Sequence, residues 1–171
     1  AGIVVLFPPI CGDYAQWENW PARIVDDLRQ AAENAAQRGL VLALENEPIC
    51  YGGSGPALAK LVGEIGHPNL KANWDPGNHC HATGEDFRVG YEALKPVHIH
   101  THVKDYRPGT SHAIVPGDGD VDWLGQLQAL QADGYQGLLV LETHFQPKIA
   151  GSRNCVERLR ELLAQIGEGA E

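Results

Sequence analysis

The chain has 171 residues, enough for one domain with a sizeable core, and its 43% hydrophobic and 20% charged content is ordinary for a globular protein. A net charge of -9 argues against a basic nucleic-acid groove, and no apolar run approaches the roughly 20 residues of a membrane span. Cys11, Cys50, Cys80 and Cys155 show no C-x-x-C spacing, which points to free thiols in a reducing cytoplasm.

Ile3 to Phe7 is a short β-branched and aromatic run stopped by Pro8 and Pro9, the pattern of a buried strand. After a loop from Ile10 to Trp20, with Asn19 near the cap and Pro21 in the first turn, Ile24, Val25, Leu28, Ala31, Ala32, Ala35 and Ala36 recur at helical spacing up to Gly39. The unit then repeats. Leu40 to Leu44 is an apolar strand ending at Glu45, and Ser54 and Pro56 open a helix bearing Leu58, Leu61, Val62 and Ile65. Asn69 to Trp74 ends at Asp75 and precedes a short helix from Glu85 to Leu94. Val97 to Val103 contains three alternate histidines, and strand alternation puts His98, His100 and His102 on one face. A polar excursion from Tyr106 to Gly119 follows, with Pro-Gly-Asp-Gly turn chemistry. Asp122 caps a helix holding Trp123, Leu127 and Leu130, which Gly134 ends. Leu138 to Leu141 is a fifth strand, ending at Glu142, and the last helix carries Val156, Leu159, Leu162, Leu163 and Ile166 before stopping at Gly167.

Five strand-helix units in strict alternation imply parallel strands joined by right-handed crossovers, with helices covering the outer face of unbroken apolar strands. An open doubly wound sheet and part of an eight-unit barrel both satisfy this pattern. The turn after the first strand, Pro-Pro-Ile-Cys-Gly, lacks the glycine-rich form that cradles a pyrophosphate. The barrel accounts better for the polar strand ends, because barrel sites gather from the C-terminal ends of several strands. Glu45, Asp75, His102 and Glu142 at one rim form a donor set suited to a single Mn²⁺, Mg²⁺, Co²⁺ or Zn²⁺ ion. Taken singly, each acid reads as readily as a group that solvates a strand end. Four in consecutive strands favour a shared site.

The motifs Leu-Ala-Leu-Glu-Asn-Glu-Pro around Glu45, Asn-Trp-Asp-Pro-Gly-Asn around Asp75, His-Thr-His-Val-Lys-Asp around His102, Pro-Gly-Asp-Gly-Asp-Val-Asp-Trp from Pro116 and Gly-Tyr-Gln-Gly-Leu-Leu-Val-Leu-Glu up to Glu142 together resemble the sugar phosphate isomerase/epimerase family, the xylose isomerase-like TIM barrels. The resemblance runs from about Gly39 to the C-terminus. It implies an α/β fold of parallel TIM-barrel type, partial, with about five βα units corresponding to barrel strands 4 to 8. Residues 1–171 then form a single such domain lacking the N-terminal βα units, a reading also prompted by the absence of methionine and by a strand that opens at the third residue. Two unpaired sheet edges and an open inner face imply either a homodimer in which two partial barrels cover one another or a fragment that has lost part of its substrate pocket. The resemblance carries the metal-ligand roles over to Glu45, Asp75, His102 and Glu142. One departure stands out: ketose epimerases resemble Asp-x-x-His where this chain has Asp-Pro-Gly-Asn, so Asn78 replaces a sugar-holding histidine.

The expected activity is a divalent-metal-dependent isomerase or epimerase acting on a keto sugar or keto polyol by proton abstraction next to the carbonyl, with Glu45 and Glu142 as base and acid. Asn78, Lys104, Arg107 and His144 are candidate substrate contacts, while Lys104 and Arg107 read equally as solvated charges and Glu47 equally as a loop charge. His98 and His100 are expected as packed core residues, and Asp105 as a group orienting an imidazole. An inosose-type dehydratase uses the same first step. An endonuclease-IV-like site needs more histidines and a basic groove, and an inactive partial barrel serving as an interaction module is the non-enzymatic reading.

Overall fold

The computed structural model describes residues 2–109 and 114–168. Five strands, β1 (Gly2–Leu6), β2 (Leu40–Glu45), β3 (Leu70–Trp74), β4 (His98–Val103) and β5 (Leu138–Leu141), pair in parallel in the order β1-β2-β3-β4-β5. Helices α1 (Ala22–Ala36), α2 (Gly55–Ile65), α3 (Pro76–Thr83), α4 (Phe87–Leu94), α5 (Trp123–Ala132) and α6 (Lys148–Glu168) connect or follow them, and a 3-10 turn spans Tyr14–Gln16. The result is a half-barrel. Its main core lies between sheet and helices, where Leu44, Leu58, Leu61, Trp74, Phe87, Leu94 and Trp123 are buried.

Local chemistry sets the element ends. Ser54, Asp75, Asp86 and Asp122 cap α2, α3, α4 and α5 by accepting a backbone N–H, and the α2 and α3 caps are each followed by proline in the first turn. The expected role of Asn19 is not observed: its side-chain amide donates to the Ala15 carbonyl, and Pro21 occupies the α1 cap position without a side-chain bond. Helix α3 lies where the sequence reading placed no element. At the other end of the chain, α6 starts at Lys148, well before Val156, and runs through Gly167 rather than stopping there.

One irregularity decides which histidines share a face. Ala72 pairs with His98 but Asn73 pairs with His100, so Ile99 is an extra residue in β4, a β-bulge. His98 is thereby turned to the helix layer, where its ring stacks on Tyr135 at 4.7 Å and meets the edge of Tyr91 from α4. Its Nε2 lies 2.8 Å from Thr101 Oγ1, and burial lowers its pKa to about 4. The expectation of three histidines on one face is corrected to two, because a bulge resets the period of 2 on which it rested.

The inner face of the half-barrel is open. Leu138 and Val140, register partners of His100 and His102, are 62% and 37% exposed, and Ile3 and Phe7 on the same face of the β1 segment are 39% and 55% exposed. Among the described residues no helix is long and apolar enough to cross a membrane. All four cysteines are unpaired.

Candidate metal centre

Parallel strands in register stop at one level, so the side chains at their C-terminal ends converge. Glu45 ends β2, Asp75 directly follows β3, His102 lies near the end of β4, and Glu142 directly follows β5. Each of the four offers one ligand atom within 4.8 Å of all the others. His102 Nδ1 is 3.0 Å from Glu45 Oε2 and 3.6 Å from Glu142 Oε2.

Each donor is held by a different device. Glu45 is buried; its Oε2 accepts from Asn73 Nδ2 at 2.9 Å and its Oε1 from Asn78 Nδ2 at 3.2 Å. Asn73 in turn meets His100 Nδ1 at 2.8 Å, so the second inward histidine braces Glu45 through an amide. His100 is buried, as expected of a packed residue. Asp75 divides its carboxylate. Oδ1 accepts the Asn78 N–H and starts α3, while Oδ2 faces the cluster. Asn46 bonds both the N–H and the carbonyl of Asp75, fixing the backbone at that point.

Lys104 lies within the cluster. It is 7% exposed, its Nζ donates to Glu142 Oε2 at 2.8 Å, and it lies 3.2 Å from Asp75 Oδ2. Its carbonyl accepts from Trp123 Nε1 at 3.2 Å. On the other side α3 approaches so closely that a Cβ on Gly77 would sit 2.9 Å from the Lys104 carbonyl oxygen and 3.0 Å from its Cγ. Glycine in the Asp-Pro-Gly-Asn motif is therefore required by space.

The charges shift one another strongly. Burial disfavours the His102 cation, but Glu142 and Glu45 outweigh it and raise the imidazole to about 10. His102 draws the Glu142 carboxyl down to about 2, against burial and with help from Lys104. Burial raises Asp75, Lys104 opposes that, and Glu45 adds to it. Lys104 is itself raised: Asp75 and Glu142 overcome the effect of burial. Glu47, half-buried with its Oε2 3.3 Å from Asn78 Nδ2, is raised by burial.

The donor set fits a divalent cation. Asp75 Oδ2 and His102 Nδ1 are buried, and neither takes part in a hydrogen bond. Each instead faces a charge of the cluster, with Lys104 Nζ 3.2 Å from Asp75 Oδ2 and Glu45 Oε2 3.0 Å from His102 Nδ1, so both atoms lie where a cation would meet them and the neighbouring carboxylates together. Imidazole and carboxylate together suit Mn²⁺, Mg²⁺, Co²⁺ or Zn²⁺.

The other sequence candidates are distributed around this centre. Asn78 bridges Glu45 and Glu47, and His144 Nε2 is 3.7 Å from Glu142 Oε1. Arg107 donates to the Asp118 carbonyl and lies 3.7 Å from Asp120, on the excursion after β4; residues 110–113 of that excursion lie outside the described residues. The Asp105 carboxylate accepts the N–H groups of Tyr106, Gly117, Gly119 and Val121, pinning the loop. The Pro-Gly-Asp-Gly turn is the complement of that carboxylate: a Cβ on Gly119 would fall 2.1 Å from Asp105 Oδ1. Asn73 and Asn46 were missed, and the polar residues inside or just beyond apolar strands were the available signal.

A chain with this half-barrel and rim belongs to the xylose isomerase-like TIM barrel family, whose model matches residues 1–164. It is 24% identical over 166 residues to the inosose dehydratase of Geobacillus thermodenitrificans, covering 86% of this chain and 55% of that protein. Among solved structures it is similar to a D-tagatose 3-epimerase-like protein, with TM-score 0.76 and 24% identity over all of this chain and 65% of that one. It is also similar to a xylose isomerase-like TIM barrel protein from Mycobacterium smegmatis in complex with magnesium, with TM-score 0.76 and 18% identity, covering 97% of this chain and 62% of that one. The structural likenesses are of fold. The chain spans about half the length of the curated relatives that it matches along most of its own length.

Proposed function

We propose that this protein is a divalent-metal-dependent isomerase or epimerase of a keto sugar or keto polyol, with Glu45, Asp75, His102 and Glu142 as metal ligands. The observation that carries this reading is the convergence of Glu45, Asp75, His102 and Glu142, each offering a ligand atom within 4.8 Å of the other three, with the buried Asp75 Oδ2 and His102 Nδ1 making no hydrogen bond. A divalent cation there supplies the Lewis acidity that polarises a substrate carbonyl and acidifies the neighbouring C–H.

The protein's own groups do the rest. Glu142, about one-third exposed and kept ionised by His102 and Lys104, takes the proton. Glu45, held on both oxygens by amides and arriving from β2 while Glu142 follows β5, serves the opposite face. Lys104 sets a fixed positive charge beside the oxyanion that develops. Asn78 and His144 line the approach as substrate contacts, and Arg107 reaches a distal oxygen or phosphate from the excursion.

A second reading is favoured by the likeness to inosose dehydratase: the same proton removal followed by loss of a β-hydroxyl as water. Metal-loaded protein incubated in D₂O with ketoses and with inosose separates the two by NMR. Deuterium at the carbon beside the carbonyl with no loss of water marks an epimerase or isomerase; an unsaturated product marks a dehydratase. Absence of both from either substrate class rejects the assignment and leaves a metal-binding interaction module. The substrate is a small sugar or polyol, and four unpaired thiols suit the cytoplasm. Two copies of the chain cover each other's open inner faces, a reading supported by exposed Phe7 and Leu138.

A further inference from the structure

We propose that Lys104 sets the metal affinity of this centre: its ammonium is a built-in counter-charge that weakens the hold of the four donors on a divalent cation. The inference rests on the metal-centre reading above and adds to it a residue outside the ligand set.

The geometry is specific. Lys104 Nζ touches two of the four donors, bonded to Glu142 Oε2 at 2.8 Å and 3.2 Å from Asp75 Oδ2. Asp75 Oδ1 is committed to the Asn78 N–H, so Oδ2 is the oxygen a cation would use, and the ammonium lies beside it. The lysine is also confined. Its backbone carbonyl is tied to Trp123, its stem lies against Gly77 with no room for a methyl group, and it is almost fully buried.

Charge counting gives the direction. Three ionised carboxylates and one ammonium, with neutral imidazole, leave two negative charges; without the ammonium there are three. Affinity for hard cations rises with the charge of the ligand set, and a fixed positive charge a few ångströms from a cation repels it strongly where water is excluded. A lysine that served only as scaffold would have no such signature.

The test is Mn²⁺ titration by calorimetry on the metal-stripped full chain and on K104M, K104Q and K104R, with thermal unfolding of each in chelator and in Mn²⁺. The neutral variants are expected to bind Mn²⁺ roughly tenfold more tightly or better, to unfold at a lower temperature in chelator, and to gain more from added Mn²⁺ than wild type. K104R, which keeps the charge, is expected within about threefold of wild type. A folded K104M or K104Q with unchanged or weaker Mn²⁺ affinity overturns the inference, and so does failure of both to fold even with Mn²⁺ present, which would make Lys104 a scaffold residue. H102A keeps the two failures apart. If wild type binds no better than H102A, the metal-centre reading itself falls; if wild type binds and H102A does not while K104M is unchanged, only the role of Lys104 falls.

Discussion

Asp75 caps α3 with Oδ1, and the ligand role proposed for it falls on Oδ2, so the two are separable. In D75N the amide oxygen still accepts the Asn78 N–H, so α3 keeps its start, but the negative donor is gone. Cation affinity is expected to fall about a hundredfold or more, beyond the loss usual for partners that only orient a ligand. D75A removes both duties and should be less stable than D75N by about 1 kcal/mol, the worth of a cap. Denaturant unfolding of the two metal-free variants checks the difference, and equal stability would remove the capping role. His102 fixes a pH dependence. Its folded pKa of about 10 stands above the ordinary 6.5, so its ion pairs stabilise the metal-free fold fully below about 6.5 and fade as pH rises through 10. A cation on Nδ1 needs the neutral ring, so binding releases a proton and affinity should climb from pH 6 towards 9. Calorimetry in buffers of different ionisation enthalpy counts that proton; a count of zero contradicts it. Glu142 contributes in the opposite sense: its stabilisation is full above about 4.5 and is lost as pH falls towards 2.

At the scale of elements, the Ile99 bulge separates one structural histidine from two that serve the rim. H98A removes a ring stacked on Tyr135 and should lower stability by about 1 to 3 kcal/mol while leaving Mn²⁺ affinity unchanged. Weakened Mn²⁺ binding in H98A would return that residue to the rim. The same strand shows where the sequence was legible and where it was not. Apolar runs closed by Glu45, Asp75 and Glu142 identified β2, β3 and β5 and their polar ends together, because a strand covered by helices on its outer face stays apolar until it reaches the rim. The bulge left no mark in Val-His-Ile-His-Thr-His-Val, since an inserted residue is recognised only through the partner strand. Helix α3 was hidden differently: Asp75-Pro76 is a cap followed by a first-turn proline, but the next residues lack the 3.6-residue apolar stripe by which the other helices announce themselves. The loop-pinning bonds of Asp105 were not legible, because among the described residues they come from backbone N–H groups, which residue types do not reveal.

For the whole molecule, five strands leave β1 and β5 as edges and an inner face on which Phe7 and Leu138 stand more than half exposed. Pairing of two copies across that face should give a mass near twice 18.5 kDa in light scattering and a melting temperature that rises with protein concentration. L138E should return the mass to a single chain; a monomeric wild type at high concentration would leave the face to another partner. The tie between Trp123 and the Lys104 carbonyl links the outer layer of helices to the rim. The indole is buried and bonded to the backbone of the residue whose ammonium lies among the donors, so a change of charge there alters the field around the ring. If the rim holds a cation as proposed, titration with Mn²⁺ should change the tryptophan emission of the wild type and leave that of W123F less affected, an optical readout that needs no attached dye.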